Sequence, residues 1–498
     1  MPAASTGPRA QDRTPSGGTV SHAPGRLAGG FPELALQCID GAWRPGSGSW
    51  DLLDFDPYTG ERLASVTVAT SREVDAAYRA AARAQREWAQ TAHPERARIF
   101  TRAADLLQQE RGRLTDLVVS ESGSTAAEAD EQFTAARELL THAARLTAHP
   151  ERRALPPEPE GAAHALHRRP VGVIGAITPS DLPLTAAVRT AGCALALGNA
   201  VVLKPHQSTP VAGGTLLAAL LEAAGLPPGL LNIVLTDVAE IGDALLEHPV
   251  LRAVAFAGSA AAGRRIAAVA AAHLKRTVLQ LRGNGAFFVL DDADVALAVE
   301  DAVRDRFLHR GTAAARVLVH RSIERAFTAK LVARVHDLRV GDPHDPHTDL
   351  GPLVDTSQAE AAPAFTEQAV AAGAVPLLRG RASGCLVHPT VLTALPPDSP
   401  VFRQEVPRPV LAALPFDDEE QTASLIASAP TGPVGAVHTA EPRRGEHLAR
   451  LLGTAEFHLN GPRPHGIWPA SEDAETAAAM VRGFSVQQCV SAREGASE

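Results

Sequence analysis

Strand-like and helix-like stretches alternate from Val171 onwards, and that alternation restricts the fold more than any other feature of the sequence. VGVIGAIT is followed by a helical pattern from about 183 to 197, and AVVLKP by one from about 210 to 224. LNIVL precedes a pattern from about 239 to 247, AVAF one from about 260 to 272, and TVLQL closes the run. Unbroken apolar strands are buried on both faces, and strands joined through helices run parallel. The expected fold class is therefore α/β, with a parallel sheet covered by helices. Ligand sites of such sheets lie beyond the carboxyl ends of the strands. TPSDLP (178–183), KPHQSTP (204–210), GSAAAG (258–263) and QLRGNG (280–285) all fall there.

The flanking sequence adds further units. LQCIDGAWRPGSGSWDLLDFDPYTGE alternates short apolar runs with turn residues, as antiparallel strands do. Thr70 and Glu73 have capping-box spacing ahead of a stripe formed by Val74, Ala77, Tyr78, Ala81 and Trp88. A second helix opens at Pro94 and directs Ile99, Phe100, Ala103, Leu106 and Leu107 inward. Another alternating block runs from Phe287 to about Phe457, and GFSVQQCVS (483–491) is a lone strand of the kind that adds to a partner's sheet. Residues 1–33, rich in Pro, Gly and Ala, read as a disordered tail with no apolar signal segment.

Composition narrows the function. A formal charge of -9 argues against nucleic acid and against a basic membrane surface. The most apolar stretch, Val171 to Leu203, is interrupted by Asp181, Pro183, Arg189 and Asn199 and does not span a bilayer. Four cysteines at 38, 193, 385 and 489, with no CxxC pair, suggest neither disulfides nor zinc and suit the cytoplasm. Cys385 reads as a structural thiol. FLHRGTAAARVLVH (307–320) has the form of a helix, a small-residue turn and a strand, yet it contains no nucleophile except the hydroxyl of Thr312.

In order along the chain, DPYTGERLASV, ERARIFTRAADLL, RRPVGVIGAITP, GNAVVLKP, GLPPGLLNIV, GSAAAGRRI and QEVPRPVLAALPFDDEE resemble the aldehyde dehydrogenase superfamily, from about Leu34 to Ser491. The resemblance implies a Rossmann-like dinucleotide domain, an α/β catalytic domain and a small β oligomerisation arm. In this chain these map to 34–147 with 171–281, to 282–481, and to 148–170 with 482–498.

That family's chemistry uses a thiolate, oxyanion donors, a hydride acceptor and a general base. Counting back from Arg316 puts Gly311 at the cysteine position, in a loop about three residues shorter than usual. The family's Glu-Leu-Gly-Gly is QLRG, so Gln280 replaces the base and Arg282 a glycine. An amide takes no proton at neutral pH. Pro-Trp-Asn-Phe-Pro is PSDLP, so Asp181 replaces the oxyanion amide. On the cofactor side, the resemblance assigns Lys204 and Glu405 to ribose and Gly258 and Ser259 to pyrophosphate. Gln207 stands where a Glu is usual, and Pro407 and Arg408 replace the residues beside nicotinamide.

If the loops meet as in that family, Asp181, Gln280, Arg282, His309 and Arg310 converge on the thiol position, as an acid–base cluster or as a salt-bridged plug. His206 is placed at the adenine edge or on the surface, and His458, Asn460 and His465 at the substrate funnel. The expectation is a pseudoenzyme with respect to NAD-dependent aldehyde oxidation: a non-redox enzyme or small-molecule binder. The alternatives are a non-catalytic structural or regulatory subunit and a residual NAD(P)-dependent aldehyde oxidoreductase, so enzymatic activity is left open. NAD or NADP remains a candidate for the adenosine half, with no metal. The expected partners are a small-molecule ligand and copies of the chain in a homodimer or homotetramer.

Overall fold

The computed structural model describes residues 25–148, 152–154, 162–308, 314–396, 399–427, 432, 434–454, 456–461 and 475–493. Among these residues the strands form two seven-stranded sheets, a three-stranded sheet and two small hairpins. The first large sheet runs Arg276–Leu281, Leu251–Gly258, Val173–Ile177, Ala200–Lys204, Leu231–Ile233, Gln37–Ile39 and Ala42–Arg44. Its first five strands are parallel and the last two antiparallel. Val173–Ile177 lies between Leu251–Gly258 and Ala200–Lys204, so connections leave it in opposite directions. The crevice where they part, beside Leu251–Gly258, is the topological switch point at which such sheets bind ligands.

The first core explains why these segments take these forms. Val201, Val202 and Leu203 are fully buried between helices on both faces, as an uninterrupted apolar strand requires. In Ser71–Trp88 the capping box forms, with the Thr70 N–H donating to Glu73 Oε2 at 2.7 Å. All five residues of its apolar stripe are buried. Helix Pro183–Ala187 continues through a π-helical turn, Val188–Gly192, to Ala196, whereas the segment expected at 239–247 is two short helices parted at Gly242. Within the stretch 1–33 that reads as a disordered tail, Gly25–Ala28 forms a short helical turn, held where Leu27 is buried and Arg113 Nη1 donates to the Gly29 carbonyl at 2.9 Å.

The second large sheet runs Val375–Leu378, Thr390–Thr393, Val410–Phe416, Ala314–His320, Gly285–Val289, Val434–His438 and Glu456–Leu459, parallel except at Val375–Leu378. The terminal strand Ser485–Arg493 pairs antiparallel with Ala162–Pro170 of its own chain, and Arg152–Ala154 lies on the other side of that strand. It therefore has a sheet within the chain before any partner is considered. Among the described residues no helix is long and apolar enough to cross a membrane.

Candidate active site

The crevice is built from the loops that follow the parallel strands. Thr178 anchors the first of them, its N–H donating to Lys204 O at 3.2 Å and its hydroxyl to Gly213 O at 3.2 Å. Leu182 adopts φ 46° immediately before Pro183. The proline ring disfavours a helical residue ahead of it, and the left-handed turn costs a non-glycine residue about 1 kcal/mol. The loop carries Asp181 towards Arg282.

Arg282 continues the ladder of the edge strand, its N–H donating to Gly258 O at 2.8 Å. Its guanidinium reaches past the neighbouring strand, and Nη1 donates to Asp181 Oδ2. On its other side Nε lies 3.2 Å from Glu405 Oε1, too poorly aligned for a hydrogen bond. One cation therefore sits between two carboxylates, one from each large sheet's loops. Burial alone would lower the Arg282 pKa, but Asp181 and Glu405 outweigh it and hold the guanidinium above its ordinary value. Glu405 is pushed up, chiefly by burial and further by Asp181, with Arg282 opposing.

Gln280 lies two residues before Arg282, on the same face of the strand. Its Nε2 is buried without a hydrogen-bond partner. His206 feels Lys204, Asp355, Asp181 and Arg282, and burial is the main cause of its lowered pKa. Its Nδ1 accepts from the Ser208 N–H at 3.2 Å, so it is a neutral ring beside the cluster rather than a surface histidine. Lys204 is mostly buried and lowered by that burial; Nζ has a carbonyl contact, Pro205 O at 3.4 Å. Gly258 ends its strand, and Ser259 caps helix Ala260–Ala272 by accepting from Ala262 N at 3.3 Å. Gln207 is exposed.

The structure thus gathers Asp181, Arg282 and Glu405 and sets Gln280, His206 and Lys204 around them. His309, Arg310, Gly311, Thr312 and His465 lie outside the described residues. Asn460 serves the backbone, pairing with Thr439 N at 2.8 Å and Thr439 O at 2.7 Å. His458 Nε2 is buried without a hydrogen-bond partner. Cys38 and Cys193 are buried in the first core, each pushed up to about 12 by burial. Cys385 is half-buried in a hairpin, its carbonyl accepting from Leu353 N at 2.8 Å. Among the described residues no group of three or more His, Cys, Asp or Glu side chains is placed to hold a metal ion.

Several residues that position this crevice were missed in the sequence. Arg306 is buried, its pKa lowered to about 9 mainly by burial. It donates to Val410 O at 2.7 Å, Val406 O at 3.0 Å and Pro407 O at 2.7 Å, fixing the loop that carries Glu405. Arg408, which the sequence had already singled out beside Pro407, turns its Nη2 to Phe307 O at 2.7 Å. Gln358 Nε2 donates to Ser180 Oγ at 3.1 Å, and Ser208 Oγ to Asp355 Oδ2 at 2.8 Å. The start of helix Thr356–Ala371 is thereby docked on two crevice loops. The Asp-x-x-Gln spacing of 355–358 was the available signal for that helix start.

The chain belongs to the aldehyde dehydrogenase family, whose model matches residues 43–468. Benzaldehyde dehydrogenase YfmT of Bacillus subtilis is 39% identical over 433 residues, 86% of this chain and 89% of that protein. A vanillin dehydrogenase of Amycolatopsis is 37% identical over 423 residues, 84% of this chain and 86% of that one. The crystal structure of a NAD-dependent benzaldehyde dehydrogenase from Corynebacterium glutamicum superposes with a TM-score of 0.86 at 32% identity, covering 92% of this chain and 98% of that chain. Betaine aldehyde dehydrogenase from Staphylococcus aureus, in complex with NAD+, gives a TM-score of 0.87 at 25% identity, covering 93% and 96%.

These relatives overturn the expectation of a non-redox enzyme, a binder or a non-catalytic subunit. That expectation weighed a few substituted positions in one crevice, whereas proteins alike over more than four-fifths of the chain are named as aldehyde dehydrogenases.

Proposed function

We propose that this protein is a nicotinamide-dependent aldehyde oxidoreductase, with aromatic aldehydes of the benzaldehyde and vanillin type as substrates and NAD as the first cofactor to test. The observation that carries the reading is the 39% identity to a benzaldehyde dehydrogenase over 86% of this chain. The donor set of the crevice supports a dinucleotide. Lys204 is a buried cation with a long contact to a carbonyl, and Ser259 opens a thirteen-residue helix whose N-terminus favours an anion.

Lys204 and Glu405 would hold ribose hydroxyls, and Ser259 with the first N–H groups of its helix the pyrophosphate. A bound nicotinamide dinucleotide supplies a hydride acceptor. The protein's own contribution is to orient the aldehyde against the Asp181–Arg282–Glu405 cluster and to manage the proton there. Assembly as a homodimer or homotetramer through the terminal strand, in the cytoplasm, completes the proposal. The test is absorbance of NADH on mixing purified protein with NAD and benzaldehyde or vanillin. Steady NADH formation is expected, and none with any aromatic aldehyde, using NAD or NADP, refutes the reading.

A further inference from the structure

A dehydrogenase that begins by adding a thiolate to its aldehyde needs a cysteine where the substrate lies. Between Phe307 and His320 this chain has none. Cys38 and Cys193 are sealed in the first core, Cys489 is on the terminal strand, and Cys385 is in a hairpin. Oxidation to an acid still requires a second oxygen on the carbonyl carbon. Water supplies it when the aldehyde is present as its hydrate, a carbon bearing one hydrogen and two hydroxyls.

The side chains in the crevice match that species better than a thiol adduct. A negatively charged tetrahedral adduct needs donors, and a carboxylate would repel it. A neutral diol needs acceptors, and an ionised carboxylate is an acceptor with room for several hydrogen bonds. Asp181 is such an acceptor, fixed by Arg282. Gln280 cannot activate water, but with no acyl-protein intermediate to hydrolyse that task disappears. Its buried, unpartnered Nε2 supplies a donor to a diol oxygen instead. Two carboxylates share one guanidinium, so the cluster carries a surplus negative charge and becomes neutral on gaining one proton.

Resting on the function proposed above, we infer that the protein takes its aldehyde as the hydrate, with Asp181 as the catalytic carboxylate that binds and deprotonates one hydroxyl. The O–H proton passes to Asp181, the C–H hydrogen leaves with its electron pair to a nicotinamide-class oxidant, and that carbon–oxygen bond becomes a carbonyl. Acid is the product, and no bond forms between the protein and the substrate carbon. Arg282 is a positioning residue, orienting Asp181.

The test pairs kinetics with a measurement that needs no cofactor. NADH formation from benzaldehyde is expected to survive N-ethylmaleimide and Cys385→Ala. Asp181→Asn should lower kcat about 100-fold or more, the scale of general-base loss, with dinucleotide affinity unchanged, and Asp181→Glu should restore part of it. Cofactor-free protein mixed with carbonyl-labelled benzaldehyde should show the bound carbon's NMR resonance as a gem-diol, and Asp181→Asn should abolish that signal. The wild-type spectrum is informative even where a variant fails to fold. NADH formation that N-ethylmaleimide abolishes, a thiohemiacetal resonance, or full activity in Asp181→Asn overturns the inference and leaves the proposed function standing. Absence of NADH from every aldehyde removes both.

Discussion

Arg282→Ala tests whether the cluster limits access to the dinucleotide site. Glu405 cannot fully serve a ribose while Arg282 Nε stands 3.2 Å from Oε1. Two unit charges at that separation attract by about 5 kcal/mol at an effective dielectric constant of roughly 20. The side chains are 32% and 37% exposed, and solvent screening together with the poor N–H alignment reduces the net contribution to about 1 kcal/mol. Removing the guanidinium should therefore tighten NAD binding by about 5-fold. Isothermal titration of the wild type and the variant reads this directly. The same variant should lose turnover, because Asp181 loses the group that orients it, so affinity and kcat move in opposite senses. A dissociation constant that is unchanged or larger in Arg282→Ala refutes the competition between Arg282 and ribose for Glu405.

Two further predictions concern buried polar groups away from the crevice. Asp54 is buried beside Glu121, whose carboxylate accepts from Val211 N at 2.7 Å and Ala212 N at 2.6 Å. Burial first, and then Glu121, push the Asp54 carboxyl far above its usual range, so it keeps a proton beside the Glu121 carboxylate. The folded state then binds a proton that the unfolded chain has released above about pH 4, so stability falls as pH rises from there. Asp54→Asn, neutral throughout, should flatten that fall and raise Tm at about pH 8 relative to wild type; parallel curves by thermal denaturation would contradict the proton retained on Asp54. Asn199 joins Ala194 O at 2.9 Å, Phe484 O at 3.0 Å and Gly172 N at 3.0 Å. Asn199→Ala should cost roughly 2 to 4 kcal/mol and speed proteolysis of the terminal strand, and an unchanged cleavage rate would show that strand to be held elsewhere.

What the sequence disclosed and what it withheld divide along a physical line. Periodicity is local, so the parallel strands around Val173–Ile177 and Ala200–Lys204, and the capped helix after Thr70, could be read from neighbouring residues alone. A polar residue interrupting an apolar pattern is equally visible: Asp181 and Asn199 both stand out. Its partner is not. Arg282 and Asp181 are 101 residues apart and Gln358 and Ser180 are 178 apart, and no propensity or period connects such pairs. The resemblance supplied part of the missing long-range information by placing Asp181 and Arg282 at one site, but it could not say that Glu405 closes the other side of the guanidinium. It also led the functional reading astray. Replacing an amide by Asp181 and a carboxylate by Gln280 establishes which steps those positions no longer perform; it does not establish that the reaction is gone, because the same exchange of donor for acceptor suits a neutral diol. Identity spread over the whole chain and identity at a few catalytic positions therefore answer different questions. The first bears on which reaction the fold supports, and the second on the route the reaction takes.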